Sequence, residues 1–327
     1  MTEFRQLSSV QAINEALAEE LERDENVFIM GEDVGAFGGV FGATKGLQQT
    51  FGSRRVFDTP LSETLIVGAG VGAAIVGLRP VVELQYSDFV GIAMDEIYNK
   101  AAKWRYMHGG ALSVPLVIRA PEGAKGGGGA DHSQSPGGMF QSAFGMYVVM
   151  PSNPADAKGM LKSAIRSDNP VLFLEHKALY SKSGPVPVGE HLVPLGRAAT
   201  VRTGKDVTIV AWGSMVSRAI QAASSLAEQG IDSEIIDPRC IRPLDSDTIL
   251  ESVRRTGRLV LVHEAPRPGG PGAEIAALVA EHALDSLLAP ILRVTTADGY
   301  FPQSVYLEKF MLPTAQDIVN AVVKVCR

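Results

Sequence analysis

Cysteine is nearly absent: the 327 residues hold only Cys240 and Cys326, with no CxxC pair and no histidine at ligand spacing. A structural zinc site or a thiol redox centre is therefore not expected, and both cysteines read as small buried hydrophobes. There is no run of Lys or Arg and no interleaving of basic with aromatic residues, and 30 basic against 36 acidic residues give a net charge of −6. Nucleic acid is thus not an expected partner. Long apolar runs are missing too. The most apolar stretch, Leu65 to Leu78, is shorter than the roughly 20 residues a spanning helix needs and carries Gly68, Gly70, Gly72 and Gly77. No membrane association is expected. The opening Met1-Thr2-Glu3-Phe4-Arg5 has neither a secretory nor an organelle-import pattern, so a cytoplasmic location is expected.

What is present is an ordinary globular composition, 46% hydrophobic and 20% charged, in a chain long enough for two cores. Ser8 and Gln11 form a capping-box pattern, followed by Val10, Ile13, Leu17 and Leu21 on one helical face. Val27–Met30 then reads as a buried strand. The alternation continues with an apolar segment from Thr64, strand Pro80–Gln85, helix Met94–Met107, strands Pro115–Arg119 and Tyr147–Met150, helix Pro154–Arg166 and strand Val171–Glu175. Between Ser181 and Arg197 prolines and glycines punctuate a polar stretch without periodicity, the expected linker. Beyond it lie strand Val207–Ala211, helix Val216–Gln229, strand Ser233–Ile236, helix Ser246–Arg255, strand Arg258–Val262, helix Ala273–Leu284, strand Ile291–Thr295 and a helical tail, Ala315–Val325. The expectation is an α/β protein of two domains with mainly parallel sheets flanked by helices: residues 1–180, a linker at 181–198, and residues 199–327.

Three places could carry chemistry. In the first, the turn-rich Asp58-Thr59-Pro60-Leu61-Ser62-Glu63 feeds a carboxyl into the apolar segment Thr64–Leu78. An acid there can simply complement a helix dipole, worth roughly 0.3–1 kcal/mol. Alternatively, desolvation lets a carboxyl hold or share a proton near neutral pH. The second is the glycine cluster Gly123–Ser135, directly after the apolar strand Pro115–Arg119, where parallel-sheet proteins place ligands. It is either a mobile loop or a close approach of backbone to a ligand. His132, expected to open a helix beyond the glycines, could be a general acid or base or a plain surface residue. The third, Gly68-Ala69-Gly70-Val71-Gly72-Ala73 with Asp88 about 20 residues on, matches a loose dinucleotide fingerprint. That suggests a nicotinamide or flavin dehydrogenase, although only Gly72–Leu78 remains for a crossover that needs about a dozen residues. A glycine-rich helix packed closely on its neighbours explains the same letters better.

Read together, Phe57-Asp58-Thr59-Pro60-Leu61-Ser62-Glu63, Gly77-Leu78-Arg79-Pro80-Val81-Val82-Glu83, Asp131-His132-Ser133-Gln134-Ser135, Asp156-Ala157-Lys158-Gly159 and Ile241-Arg242-Pro243-Leu244 resemble the beta chain of pyruvate-type 2-oxoacid dehydrogenases, in order, from about Leu7 onward. The resemblance implies a pyrimidine-binding domain for thiamine diphosphate followed by a transketolase C-terminal-like domain. It implies an alpha subunit, in an alpha2–beta2 heterotetramer, that holds the diphosphate and its magnesium. In keeping with that, the Gly-Asp-Gly signature of alpha chains is absent, the nearest letters being Ala297-Asp298-Gly299.

By the same resemblance Glu63 lies beside a ring nitrogen of the aminopyrimidine and favours the tautomer that activates the thiazolium carbon, while Leu61, Gln85 and Phe89 surround the ring. His132 corresponds to a histidine that faces substrate and serves proton transfer or reductive acylation of a lipoyl group. A structural potassium ion is implied near Leu116, Ala164, Ile165, Ser167 and Asn169, although many relatives have an acid where this chain has Ser167. The C-terminal domain corresponds to the beta–beta contact and to a docking surface for a lipoyl-bearing dihydrolipoyl acyltransferase core. The implied reaction is oxidative decarboxylation of a 2-oxoacid, pyruvate first, with acetoin and branched-chain 2-oxoacids as alternatives. A non-catalytic assembly subunit is the rival of another class.

Overall fold

The structure, a computed structural model, describes residues 3–327. The chain divides into two compact units, one of residues up to Glu122 together with Ser142–Leu195, the other of Gly123–Gln141 together with Gly196–Arg327. In chain order the first unit contains β1 (Phe4–Ser8), α1 (Ser9–Arg23), β2 (Val27–Gly31), α2 (Leu47–Phe51), β3 (Val56–Asp58), α3 (Glu63–Ile75), β4 (Arg79–Glu83), α4 (Trp104–Met107), β5 (Val117–Glu122), β6 (Tyr147–Val149), α5 (Pro154–Arg166), β7 (Val171–His176) and β8 (Ser183–Pro187). Its sheet runs β6-β7-β5-β4-β2-β3, with every pair parallel. All residues of β5 and β7 are buried, as a sheet covered on both faces requires.

Helix α1 starts at the expected capping box: Gln11 N–H donates to the Ser8 hydroxyl, and Ser8 N–H to the Gln11 side chain. Its other face meets α5 through ion pairs from Lys158 and Lys162 to Glu19, both 2.6 Å. Helix α3 explains the glycine pattern. A Cβ on Gly70 would lie 2.9 Å from both Leu116 Cδ1 and Val82 Cγ1, so the glycine lets the helix sit directly on β4 and the segment leading into β5. Gly68, Gly70 and Ala73 are interior to this helix, so they form no phosphate-binding turn and the dinucleotide reading is overturned.

Other expectations are modified. The helix expected over Met94–Met107 is a π-helical turn, Asp95–Ala101, followed by the short α4; Ala102 N–H reaches back five residues to Ile97 O. The aperiodic stretch from Ser181 includes β8, which pairs antiparallel with β1. Neither strand alternates clearly, so only their mutual hydrogen bonding defines them.

The second unit contains β9 (Ala199–Arg202), β10 (Val207–Ala211), α6 (Ser214–Ala227), β11 (Ser233–Asp237), β12 (Cys240–Arg242), α7 (Ser246–Thr256), β13 (Leu259–Pro266), α8 (Pro271–His282), β14 (Leu292–Thr296), α9 (Val305–Met311) and α10 (Ala315–Cys326). Its sheet order is β14-β13-β10-β11-β9, parallel except for β9. Alternation along β10 fixes the layers. Val207 and Ile209 join Met215, Leu226, Ile318 and Val322 in one core, whereas Thr208 points the other way and shares hydrogen bonds with Ser252 and Thr256 of α7. Cys240 is buried and Cys326 only half-buried, so the second is less sheltered than expected. Burial pushes the Cys240 thiol up to about 12.

Candidate active site

The loop after β3 is held by its own polar groups. Asp58 Oδ1 accepts from Gly35 N–H at 2.6 Å, and Thr59 N–H donates to Gly31 O at 2.9 Å. Thr59 Oγ1 is buried with no hydrogen-bond partner. Glu63 opens α3 and is only 6% exposed. The expected stabilising position at a helix N-terminus is therefore real, but a surface role is not: the carboxylate makes no hydrogen bond or ion pair with any described residue. Its close neighbour is another acid. Glu32, directly after β2, is also buried, and its carboxyl is pushed above the usual range by burial, then by the charges of Glu63 and Asp33. Two buried carboxyls at the carboxyl ends of parallel strands, with no cation among the described residues, favour a ligand that supplies a hydrogen-bond donor or a positive charge.

Around them the apolar groups are unevenly covered. Leu61 is 79% exposed. Gln85 and Phe89, beyond β4, are half-buried, and Phe89 packs edge-on against Tyr86 at 5.7 Å between centroids. A flat heterocycle with a protonatable nitrogen needs an unpaired carboxyl and apolar walls, and the residues of this unit fit such a group. Among the described residues no group of three or more His, Cys, Asp or Glu side chains could hold a metal ion.

Beside this loop cluster is a contrasting arrangement. Arg119, fully buried on β5, forms a two-pronged pair with Glu175 at 2.7 Å on each prong and an ion pair with Glu83. Tyr180 donates to Glu175 at 2.6 Å. Burial raises the Glu83 carboxyl, opposed by the Arg119 charge.

The residues expected around potassium have carbonyls that are engaged by hydrogen bonds within the chain. Arg79 Nη1 donates to Ile165 O at 3.0 Å and to Ser167 O at 3.2 Å. Leu116 O accepts from Val171 N–H and Ala164 O from Ser167 N–H, and Asn169 O accepts from the Ser167 hydroxyl. A guanidinium thus lies at two of these five carbonyls, and no role for potassium is derived.

In the second unit, Gly123 N–H donates to Gln134 O at 2.9 Å, closing the base of the glycine loop. His132 lies in this loop, half-exposed, with Nδ1 3.0 Å from Asp131 Oδ1. It does not open an α-helix. Ser135 precedes a proline and is therefore kept out of helical geometry, and only a single 3-10 turn, Pro136–Phe140, follows. A cavity of about 360 Å³ adjoins the loop, lined among others by Gln134, Ser135, Met139, Glu264, Tyr300 and Phe301. Leu61, Glu63, Gln85 and Phe89 thus share the first unit, and His132 belongs to the second. Sequence reasoning missed Glu32, whose one signal was an acid directly after a buried strand. It also missed Glu264 and Glu308, for which no local signal exists.

Comparison with known proteins places this geometry. The transketolase pyrimidine-binding domain model matches residues 5–182 and the transketolase C-terminal domain model residues 196–318. The chain is 47% identical to the pyruvate dehydrogenase E1 component subunit beta of Rhizobium meliloti, over 99% of this chain and 71% of that one. It is equally, 47%, identical to the beta subunit of an acetoin:2,6-dichlorophenolindophenol oxidoreductase of Cupriavidus necator, over 97% and 96%. Identity to the 2-oxoisovalerate dehydrogenase subunit beta of Bacillus subtilis is 44%, over 94% of each chain. Among solved structures, a split-gene transketolase described as an inactive beta4 tetramer superposes with a TM-score of 0.79 at 25% identity, covering 98% of both chains.

Proposed function

The chain belongs to the family of pyruvate dehydrogenase E1 beta and related 2-oxoacid dehydrogenase beta subunits, and from this we propose that it is the beta subunit of a thiamine-diphosphate-dependent enzyme that oxidatively decarboxylates a 2-oxoacid, pyruvate first. The observation that carries the reading is Glu63: a nearly buried carboxylate with no hydrogen-bond or ion-pair partner among the described residues, at the head of an apolar helix. Thiamine diphosphate, when bound, would supply a nucleophilic carbon and an electron sink for decarboxylation. Glu63 holds or releases a proton at the aminopyrimidine nitrogen. Burial, then the charge of Glu63, raises the Glu32 carboxyl beside it, which disfavours its charged form. Leu61, Gln85 and Phe89 orient the ring and exclude water. His132, whose Nδ1 lies 3.0 Å from Asp131 Oδ1, serves proton transfer to substrate or to the lipoyl group.

The diphosphate and magnesium are assigned to an alpha subunit in an alpha2–beta2 assembly located in the cytoplasm, and the acyl acceptor to a lipoyl-bearing dihydrolipoyl acyltransferase core. A second reading is favoured by the equal similarity to an acetoin-oxidising enzyme: the same residues acting in cleavage of acetoin. The test is to purify the chain with the partner encoded beside it and follow dye reduction with pyruvate, branched-chain 2-oxoacids and acetoin, in the presence of thiamine diphosphate and magnesium. Turnover only in the two-chain complex, lost in Glu63→Gln, is expected. Turnover by the isolated chain overturns the division of labour, and unchanged turnover in Glu63→Gln overturns the catalytic role in favour of an assembly subunit.

A further inference from the structure

The glycine loop is tied down from within its own unit by a carboxylate that has no other use. Glu308, on the short helix α9, is 4% exposed, and no Lys or Arg pairs with it among the described residues. Its two oxygens instead accept from Gly126 N–H at 3.0 Å and Gly127 N–H at 2.8 Å. Gly126, Gly127 and Gly129 all adopt left-handed φ, between 76° and 80°, the conformation that turns successive N–H groups toward one anion and that only glycine takes freely. The approach leaves no room for side chains. A Cβ on Gly127 would lie 2.3 Å from Gln303 O, and one on Gly129 2.9 Å from Gln303 Cγ. Ala124 N–H is held in the same manner by the buried Glu264 carboxylate.

The far side of the loop is His132. A Cβ on Gly128 would lie 3.0 Å from His132 O and 2.8 Å from Ser133 Oγ, so the clamped glycines pack directly against the histidine's backbone. From this geometry we infer that Glu308 is a positioning residue for His132: a buried carboxylate, satisfied only by two glycine amides, fixes the loop that presents the imidazole. The inference rests on the catalytic reading of His132 above. It predicts that flexibility released at Gly126 and Gly127 is felt as misplacement of one catalytic side chain, which costs on the order of ten- to a hundredfold in turnover.

The test uses the two-chain complex and the variants Glu308→Gln, His132→Gln and the double variant. Glu308→Gln keeps the shape but turns an amide N–H toward a glycine N–H. Expected are faster hydrogen exchange confined to residues 123–135, a kcat lower by about tenfold with little change in KM, and no further loss when the substitution is added to His132→Gln. Additive losses overturn the inference, because they mean that Glu308 acts elsewhere. Unchanged exchange in residues 123–135 overturns it as well. If His132→Gln itself turns over normally, the catalytic reading of His132 fails while faster exchange in Glu308→Gln still supports the clamp.

Discussion

Two groups of buried acids in the first unit make opposite use of the same side chain. Glu83 and Glu175 enclose Arg119, with Tyr180 adding a hydrogen bond to Glu175. Glu32 and Glu63 have no cation among the described residues, and burial, then the charge of Glu63, raises the cost of ionising Glu32. Burying a carboxylate costs several kcal/mol unless it is paired and hydrogen-bonded. The first group offsets that cost inside the chain and is complete. The second leaves it uncompensated among the described residues, at the ends of strands, and the proposed site rests on that deficit.

The comparison breaks most visibly at Glu63. Glu63→Gln is expected to lower turnover of the two-chain complex about 100-fold or more while leaving the melting temperature equal to or above wild type, since an unpaired charge is removed. A fall in melting temperature would mean that Glu63 has a structural partner after all. Arg119→Met should do the reverse in kind: loss of about 3–5 kcal/mol of stability, read by urea unfolding at pH 7. The loss should shrink as pH falls toward the ordinary glutamate range, because the two stranded carboxylates, buried side by side, take up protons above it. A loss independent of pH would refute the charge argument. Tyr180→Phe removes one hydrogen bond to a charged group and should cost roughly 1.5–3 kcal/mol in the same assay.

Smallest is Glu32→Gln. The folded-state pKa of Glu32 is raised, so its protonated form stabilises the fold below the unfolded carboxyl range, and that contribution is lost as pH rises through the folded value. The substitution should therefore leave stability near wild type at pH 4 and raise it by up to about 1 kcal/mol at pH 7. A drop at pH 7 would show that the charged form is the one the fold prefers.

Much of the fold was legible because it rests on local rules. The Ser8/Gln11 capping box starts α1. The apolar runs at Val207–Ala211 and Val171–Glu175 are fully buried strands. Glu63 was legible as an acid opening a helix. Its isolation from any cation was not, because that depends on what other segments bring beside it. The same limit hid Glu32, separated from Glu63 by a loop, helix α2 and strand β3. His132 was found by type and context, yet its helix was not there, since the proline after Ser135 permits only a short turn. The carboxylate that holds its loop comes from residue 308, far beyond any local window.

Periodicity, capping and glycine content determined by themselves that this chain builds two parallel-sheet units, because those signals act within a few residues along the backbone. Tertiary structure alone decided that β1 and β8 pair, that Arg79 meets the carbonyls of Ile165 and Ser167, and that one pair of acids is neutralised while the other has no cation among the described residues. The reason is physical: hydrogen bonds and charges are satisfied by whatever lies nearest in space, and burial sets how much an unsatisfied one costs.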